Sequence, residues 1–226
     1  PCMRSFIIPP VISRQRIIAH GEVFTPPELV NDMLDLVAHE CERIDSRFLE
    51  PACGNGNFLA AVLIRKLLTV DKRQKRFRNR WERDAVLAVC SIYGIELLFD
   101  NVINCRNRLL SVVEHAHRSR FKKPLPVPAV RSVQYILSKN IVHADALAMA
   151  TLNNRPIVFS EWSPLNGTLI KRRDFAYEHL LRSADVFTLP LQSDRGEDVL
   201  LPTPAGDFPP CHYLKVHEAD AIPRRS

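Results

Sequence analysis

The sequence predicts an α/β fold built on a doubly wound, mostly parallel sheet, and three stretches carry that expectation. Arg47-Phe-Leu-Glu50 has the apolar pattern of a short buried strand. It runs through a glycine-rich turn into apolar residues at helical spacing from Phe58 to Leu68. Ser91 to Leu97 repeats the strand signal and closes on an acid, Glu96, and Asn140 to Asp145 repeats it again with Asp145 at its end. Strands separated by helical stretches are how parallel βαβ units are written in sequence.

Composition sets the limits. The 226 residues fit one domain with a full core, taken as 21–226, behind a basic and apolar arm, 1–20, that carries Arg4, Arg14 and Arg16. No apolar run approaches the roughly 18 residues needed to span a bilayer, and the start lacks the charged, apolar, small order of a signal peptide, so a cytoplasmic protein without membrane contact is expected. The cysteines at 2, 41, 53, 90, 105 and 211 show neither C-x-x-C nor Cys/His spacing, which argues against a metal site and a disulfide framework. A net charge of +6 favours an acidic partner such as nucleic acid.

In order along the chain, Thr25, Pro26 and Glu28 form a helix start: a capping hydroxyl, a proline in the first turn, then an acid. The helix is expected to reach about Ile44, with Leu29, Val30, Met33, Leu34, Val37 and Cys41 on its core face. At the turn, Gly54 and Gly56 remove the side chains that would keep a ligand from the backbone. The run from Arg65 to Arg83 mixes many cations with Phe77 and Trp81. It reads either as a nucleic-acid contact or as a solvated connection.

A helix over Trp81 to Cys90 leads to the second strand. A carboxylate at its carboxyl end, Glu96, can accept both hydroxyls of a ribose. Asp100 is placed to cap a helix from Asn101 to about Arg120, and proline-rich Phe121 to Val130 reads as a loop. Pro156 to Ser160 reads as a fourth strand of the same sheet, and Lys171 to Arg173 as three cations before a helix capped by Asp174. Ala184 to Leu191, Asp198 to Pro202 and His212 to Val216 are candidate closing strands.

Two strings carry more than a fold. Glu50-Pro-Ala-Cys-Gly-Asn-Gly-Asn-Phe58 and Gly21-Glu-Val-Phe-Thr-Pro26 closely resemble the S-adenosylmethionine motifs of DNA methyltransferases that modify exocyclic amines, above all the adenine-N6 enzymes of bacterial restriction-modification systems. The resemblance implies a class I, Rossmann-like methyltransferase fold with S-adenosylmethionine as cofactor. It implies that Glu50, Ala52, Gly54 and Gly56 approach the methionine and ribose, and that Phe24 and Thr25 close over the methionine end. Glu96 and Leu97 would hold the ribose, and Asp145 and Ala146 would lie near the adenine. Cys53 would be a packing residue of the turn.

After the fourth strand the wording departs from that family, which places Asn, Asp or Ser, then Pro-Pro, then an aromatic. There the polar group and the first proline carbonyl accept hydrogen bonds from the target amine while the aromatic stacks on the extruded base. This chain offers Glu161-Trp-Ser-Pro-Leu-Asn-Gly167, so Ser163, Pro164 and Trp162 are the candidate catalytic residues. Three readings stay open: methyl transfer to adenine N6 in DNA by a variant site, an inactive cofactor-binding subunit, or transfer to RNA or a protein glutamine. With no separate target-recognition region expected, DNA sequence choice would come from a partner chain or from the basic loops.

Overall fold

The computed structural model describes residues 25–178 and 204–221. At its centre are three parallel strands in the order β1 (Phe48–Glu50), β2 (Ile92–Glu96) and β3 (Ile141–Asp145), with the short β4 (Ala150–Thr151) antiparallel to β3. Helices α1 (Pro27–Leu36) and α2 (Ala38–Cys41) precede the sheet. Two helices make each crossover: α3 (Asn57–Arg73) and α4 (Arg78–Cys90) between β1 and β2, then α5 (Phe99–Phe121) and α6 (Val127–Asn140) between β2 and β3. The fold is mixed α/β with a mostly parallel four-stranded sheet, as the sequence predicts, but the described core on the second face holds no residue of α1–α6, so the doubly wound arrangement is not what covers it.

Every residue of β2 is buried, which a parallel strand covered on both faces requires. The pleat divides them between two cores. Ile92 and Ile141 pack with Leu59, Leu63, Leu109 and Ile136 of the helices. Tyr93, Ile95 and Ala144 pack on the other face against Ile157, Phe159 and Tyr177. Lys66 is sealed into the helical core, where its ammonium donates to the carbonyls of Arg43 at 2.8 Å, Ile44 at 3.3 Å and Ser46 at 2.6 Å, fixing the turn that leads into β1.

The expected fourth strand is displaced from the parallel sheet. β5 (Val158–Pro164) pairs antiparallel with β6 (Leu169–Ala176), and β6 also pairs with the two-residue strands β7 (Gly206–Asp207) and β8 (Cys211–His212). This second sheet reaches both cores. Ile157 and Phe159 cover the far face of the parallel sheet, while Trp162 and Ile170 join the helical core. A short 3-10 helix, Val216–Ala221, ends the described chain.

Several local expectations are corrected. The first helix begins at Pro27, makes no side-chain cap with Thr25, and breaks at Val37. Only Val30, Leu34 and Cys41 of its expected face are buried, and Leu29 and Met33 are about half exposed, because α1 lays a narrow stripe across α3. Helix α6 starts inside the stretch read as a loop. Pro126 ends the loop in an extended conformation and Pro128 sits in the first turn, where a missing N–H needs no partner.

Asp100 lies within the first turn of α5, and Leu98 takes the capping position. The three cations Lys171 to Arg173 belong to β6 rather than to a helix start: Lys171 pairs with Asp207, Arg172 with Asp174, and Arg173 with Glu161. His212 to Val216 is strand only at His212. The arm 1–20, the string Gly21 to Phe24, and the candidate strands Ala184 to Leu191 and Asp198 to Pro202 lie outside the described residues.

Candidate functional site

The three parallel strands all end on carboxylates: Glu50 closes β1, Glu96 closes β2 and Asp145 closes β3. The glycine turn sits over the first two. Cys53 donates its N–H to the Ile95 carbonyl at 3.0 Å, and Gly56 donates back to the Cys53 carbonyl at 2.8 Å. Gly54 and Gly56 take φ of +51° and +85°, the left-handed region that glycine enters without a Cβ clash, and Gly56 is the capping residue of α3.

Glu96 organises this end of the sheet. Its Oε2 accepts the Gly54 N–H at 2.8 Å and its Oε1 accepts the Leu98 N–H at 2.8 Å, so one buried carboxylate ties the loop after β1 to the start of α5. Each oxygen keeps a further lone pair for a hydroxyl donor. Glu50 lies at the same edge, its carboxyl raised above the usual range by burial, against the pull of the Ala52 N–H. Asp145 turns its Oδ1 onto the N–H groups of Leu147, at 2.8 Å, and Ala148, at 3.1 Å, shaping the turn after β3. Ala146 packs on the far core and Leu97 is exposed beside Glu96.

Two residues that sequence reasoning passed over complete the loop. Asn55 is 2% exposed, yet neither its Oδ1 nor its Nδ2 has a hydrogen-bond partner, and the Asn57 Nδ2 is likewise buried and unpaired. Asn57 uses its Oδ1 to accept from Arg108 on α5. Buried amides are nearly always satisfied, so the unpaired amide atoms at this turn leave room for a polar partner. The signal in the sequence was the asparagine between the glycines.

Cys53 lies beneath the turn as a packing residue. A hydrogen bond with Cys105, then burial, holds its thiol well above the ordinary thiol range, which leaves it unreactive.

Carboxylates at all three strand ends offer acceptors to hydroxyl and N–H donors and place negative charge at this edge of the sheet. Of the residues expected to help from the N-terminal side, Thr25 is partly buried just ahead of α1, and Phe24 lies outside the described residues.

The candidate catalytic residues are elsewhere. Trp162 is 6% exposed, its indole N–H donates to the Asn140 Oδ1 at 3.0 Å, and its ring meets Tyr135 edge-on. Little of the ring is left for a base to stack on, although Trp162 borders the same cleft as Ser163 and Pro164. Ser163 and Pro164 line a cleft of about 620 Å³ together with Ile44, Arg47 and Ser91. Ile44 and Ser91 precede β1 and β2, so this cleft opens at the amino end of the sheet, and the length of a strand, roughly 15 Å, separates it from Glu96. The reason is the hairpin. Once β5 pairs with β6, its last residues become strand, and no loop leaves its end toward the carboxylates.

No protein-family model, no curated protein and no solved structure matches this chain.

Proposed function

We propose that this chain binds S-adenosylmethionine at the carboxyl end of its parallel sheet, as the class I methyltransferase-type cofactor-binding part of an adenine-N6 DNA methylation system, and that a partner chain supplies the groups that hold the target amine. The observation that carries this reading is Glu96, a buried carboxylate joined to the glycine turn through the Gly54 N–H. Glu96 would accept the ribose hydroxyls, Asn55 would meet the polar edge of the ligand, and Glu50 and Asp145 would favour its positive charge. The cofactor, when bound, supplies a methyl group activated by its sulfonium. The separation of Ser163 and Trp162 from that site favours a non-catalytic subunit over a complete enzyme.

The test measures binding of S-adenosylmethionine at equilibrium and, on the same sample, transfer of labelled methyl to unmethylated genomic DNA. Binding that weakens about tenfold or more in Glu96→Ala, with no label in DNA, is the expected result. Label in DNA from the isolated chain would restore a complete enzyme and overturn the division of labour. Absence of binding to the wild-type chain would remove the cofactor reading itself.

A further inference from the structure

A basic surface lies at the far end of the helices. Helix α3 starts under the glycine turn and carries the chain roughly 25 Å away before ending at Arg73. The α3–α4 connection there is the basic run of the sequence, and the structure sorts its charges by sign. Its acids face inward. Glu82 and Asp84 are 4% and 5% exposed, held by His117 and Arg78 and by Gln74 and Arg83. Asp71 accepts the Trp81 indole N–H at 2.6 Å.

The cations face outward. Arg73, Lys75, Arg76 and Arg80 are exposed, and no acid among the described residues pairs with them. Exposed Lys122 and Lys123, just past α5, extend the same surface, because Arg120 at the end of that helix donates to the Lys75 carbonyl at 2.9 Å.

One aromatic stands among them. Trp81 is fully buried and packs edge-on against Phe121 and His117 as the anchor of this end. Phe77 is 57% exposed, with the Arg80 guanidinium 4.7 Å from its ring centre. Leaving a large apolar ring in water at the apex of a cationic turn forgoes the free energy that packing it would give.

We infer that this basic pole binds single-stranded nucleic acid, with Arg73, Lys75, Arg76 and Arg80 on the phosphates and Phe77 stacked on a base. Clustered cations give the backbone contact, and an exposed ring between them gives a sequence-tolerant stacking platform. The inference does not depend on the cofactor reading, since the pole and Glu96 lie at opposite ends of α3.

The experiment is fluorescence anisotropy of the full chain with a short labelled single strand, its duplex, and anionic lipid vesicles, each over a range of salt. Single-strand binding is expected to be tighter than duplex binding. Replacing Arg73, Lys75, Arg76 and Arg80 together by alanine should lower the slope of log affinity against log salt by about 3. Phe77→Ala should weaken the single strand about tenfold and leave the duplex nearly unchanged.

All five side chains are exposed, so circular dichroism should show unaltered folding in these variants. The inference fails if the wild-type chain binds neither oligonucleotide at about 0.1 M salt, if the four-residue variant binds as well as wild type, or if only vesicles are bound. Glu96→Ala should leave oligonucleotide binding intact, which separates failure here from failure of the cofactor reading.

Discussion

Glu96 and Gly54 are 42 residues apart in the chain and are joined by a hydrogen bond of 2.8 Å from the loop backbone to the strand-end carboxylate. With the Leu98 N–H on its other oxygen, the side chain is at once the structural tie of this edge and the acceptor offered to a ligand. Those roles separate by substitution. Glu96→Gln keeps one acceptor oxygen and turns the other into a donor facing an N–H. Glu96→Ala leaves both N–H groups without their acceptor. Loss of a charge-assisted bond of this kind costs about 1.5–3 kcal/mol. The alanine variant should therefore unfold at lower denaturant and bind S-adenosylmethionine at least tenfold more weakly, with glutamine between them. A glutamine variant that binds like wild type would remove Glu96 from the ligand and leave it a loop tie.

Gly56 tests the loop from below. A Cβ added there would lie 2.6 Å from the Cys105 Sγ and 3.3 Å from the Cys105 Cα, at a φ of +85°. Gly56→Ala should destabilise the chain by about 2 kcal/mol or more, through strain and overpacking together. Adding Cys105→Ala removes the contact with sulfur and leaves the φ penalty. The double variant should recover part of the loss in a thermal melt, and that recovery measures the coupling between loop and helix.

The carboxyl end of the sheet was legible because its signals are local. A strand, a turn with two glycines and an acid at the next strand end can each be read within about ten residues, and the parallel pairing puts them side by side. Asn55 was less legible, since an asparagine between glycines is an ordinary turn residue and only burial without a partner marks it out. The second half of the chain misled for a non-local reason. Pro156 to Ser160 has the same apolar pattern whether it joins a parallel sheet or a hairpin, and the choice rests on pairing with β6, whose cations looked like loop charges. Arg172 shows the difficulty: it is buried in β6 with its charge met by Asp174 and the Ser160 hydroxyl, a neutralisation that no window of sequence displays.

Trp162 and Ser163 separate a packing role from a target-binding one. Trp162→Ala removes a buried ring and leaves the Asn140 Oδ1 without its donor, so it should cost about 3–5 kcal/mol in urea unfolding. Ser163→Ala touches a partly exposed hydroxyl at the amino end and should change stability by less than about 0.5 kcal/mol. It should leave cofactor affinity unchanged as well. Loss of methyl transfer in Ser163→Ala within a reconstituted complex would place the serine in the amine site after all.

Lys66 gives the chain a pH signature. Burial lowers its pKa from 10.5 to about 8, while three carbonyls hold the ammonium in place. Between those two values the unfolded chain binds more protons than the folded one, so the stability contributed at this site rises with pH. It is present in full above the unfolded value and is lost as pH falls through the folded one. The window spans 2.5 pH units (10.5 less 8), on the order of 3 kcal/mol. Lys66→Met removes the titration and leaves the carbonyls of Arg43, Ile44 and Ser46 without a donor, so it should be less stable than wild type throughout. Other thiols, phenols and lysines titrate in both proteins and cancel in the comparison. Urea unfolding of wild type and Lys66→Met across this range should therefore show their difference widening as pH rises. A difference that stays flat would mean that the carbonyls hold the ammonium strongly enough to offset its burial.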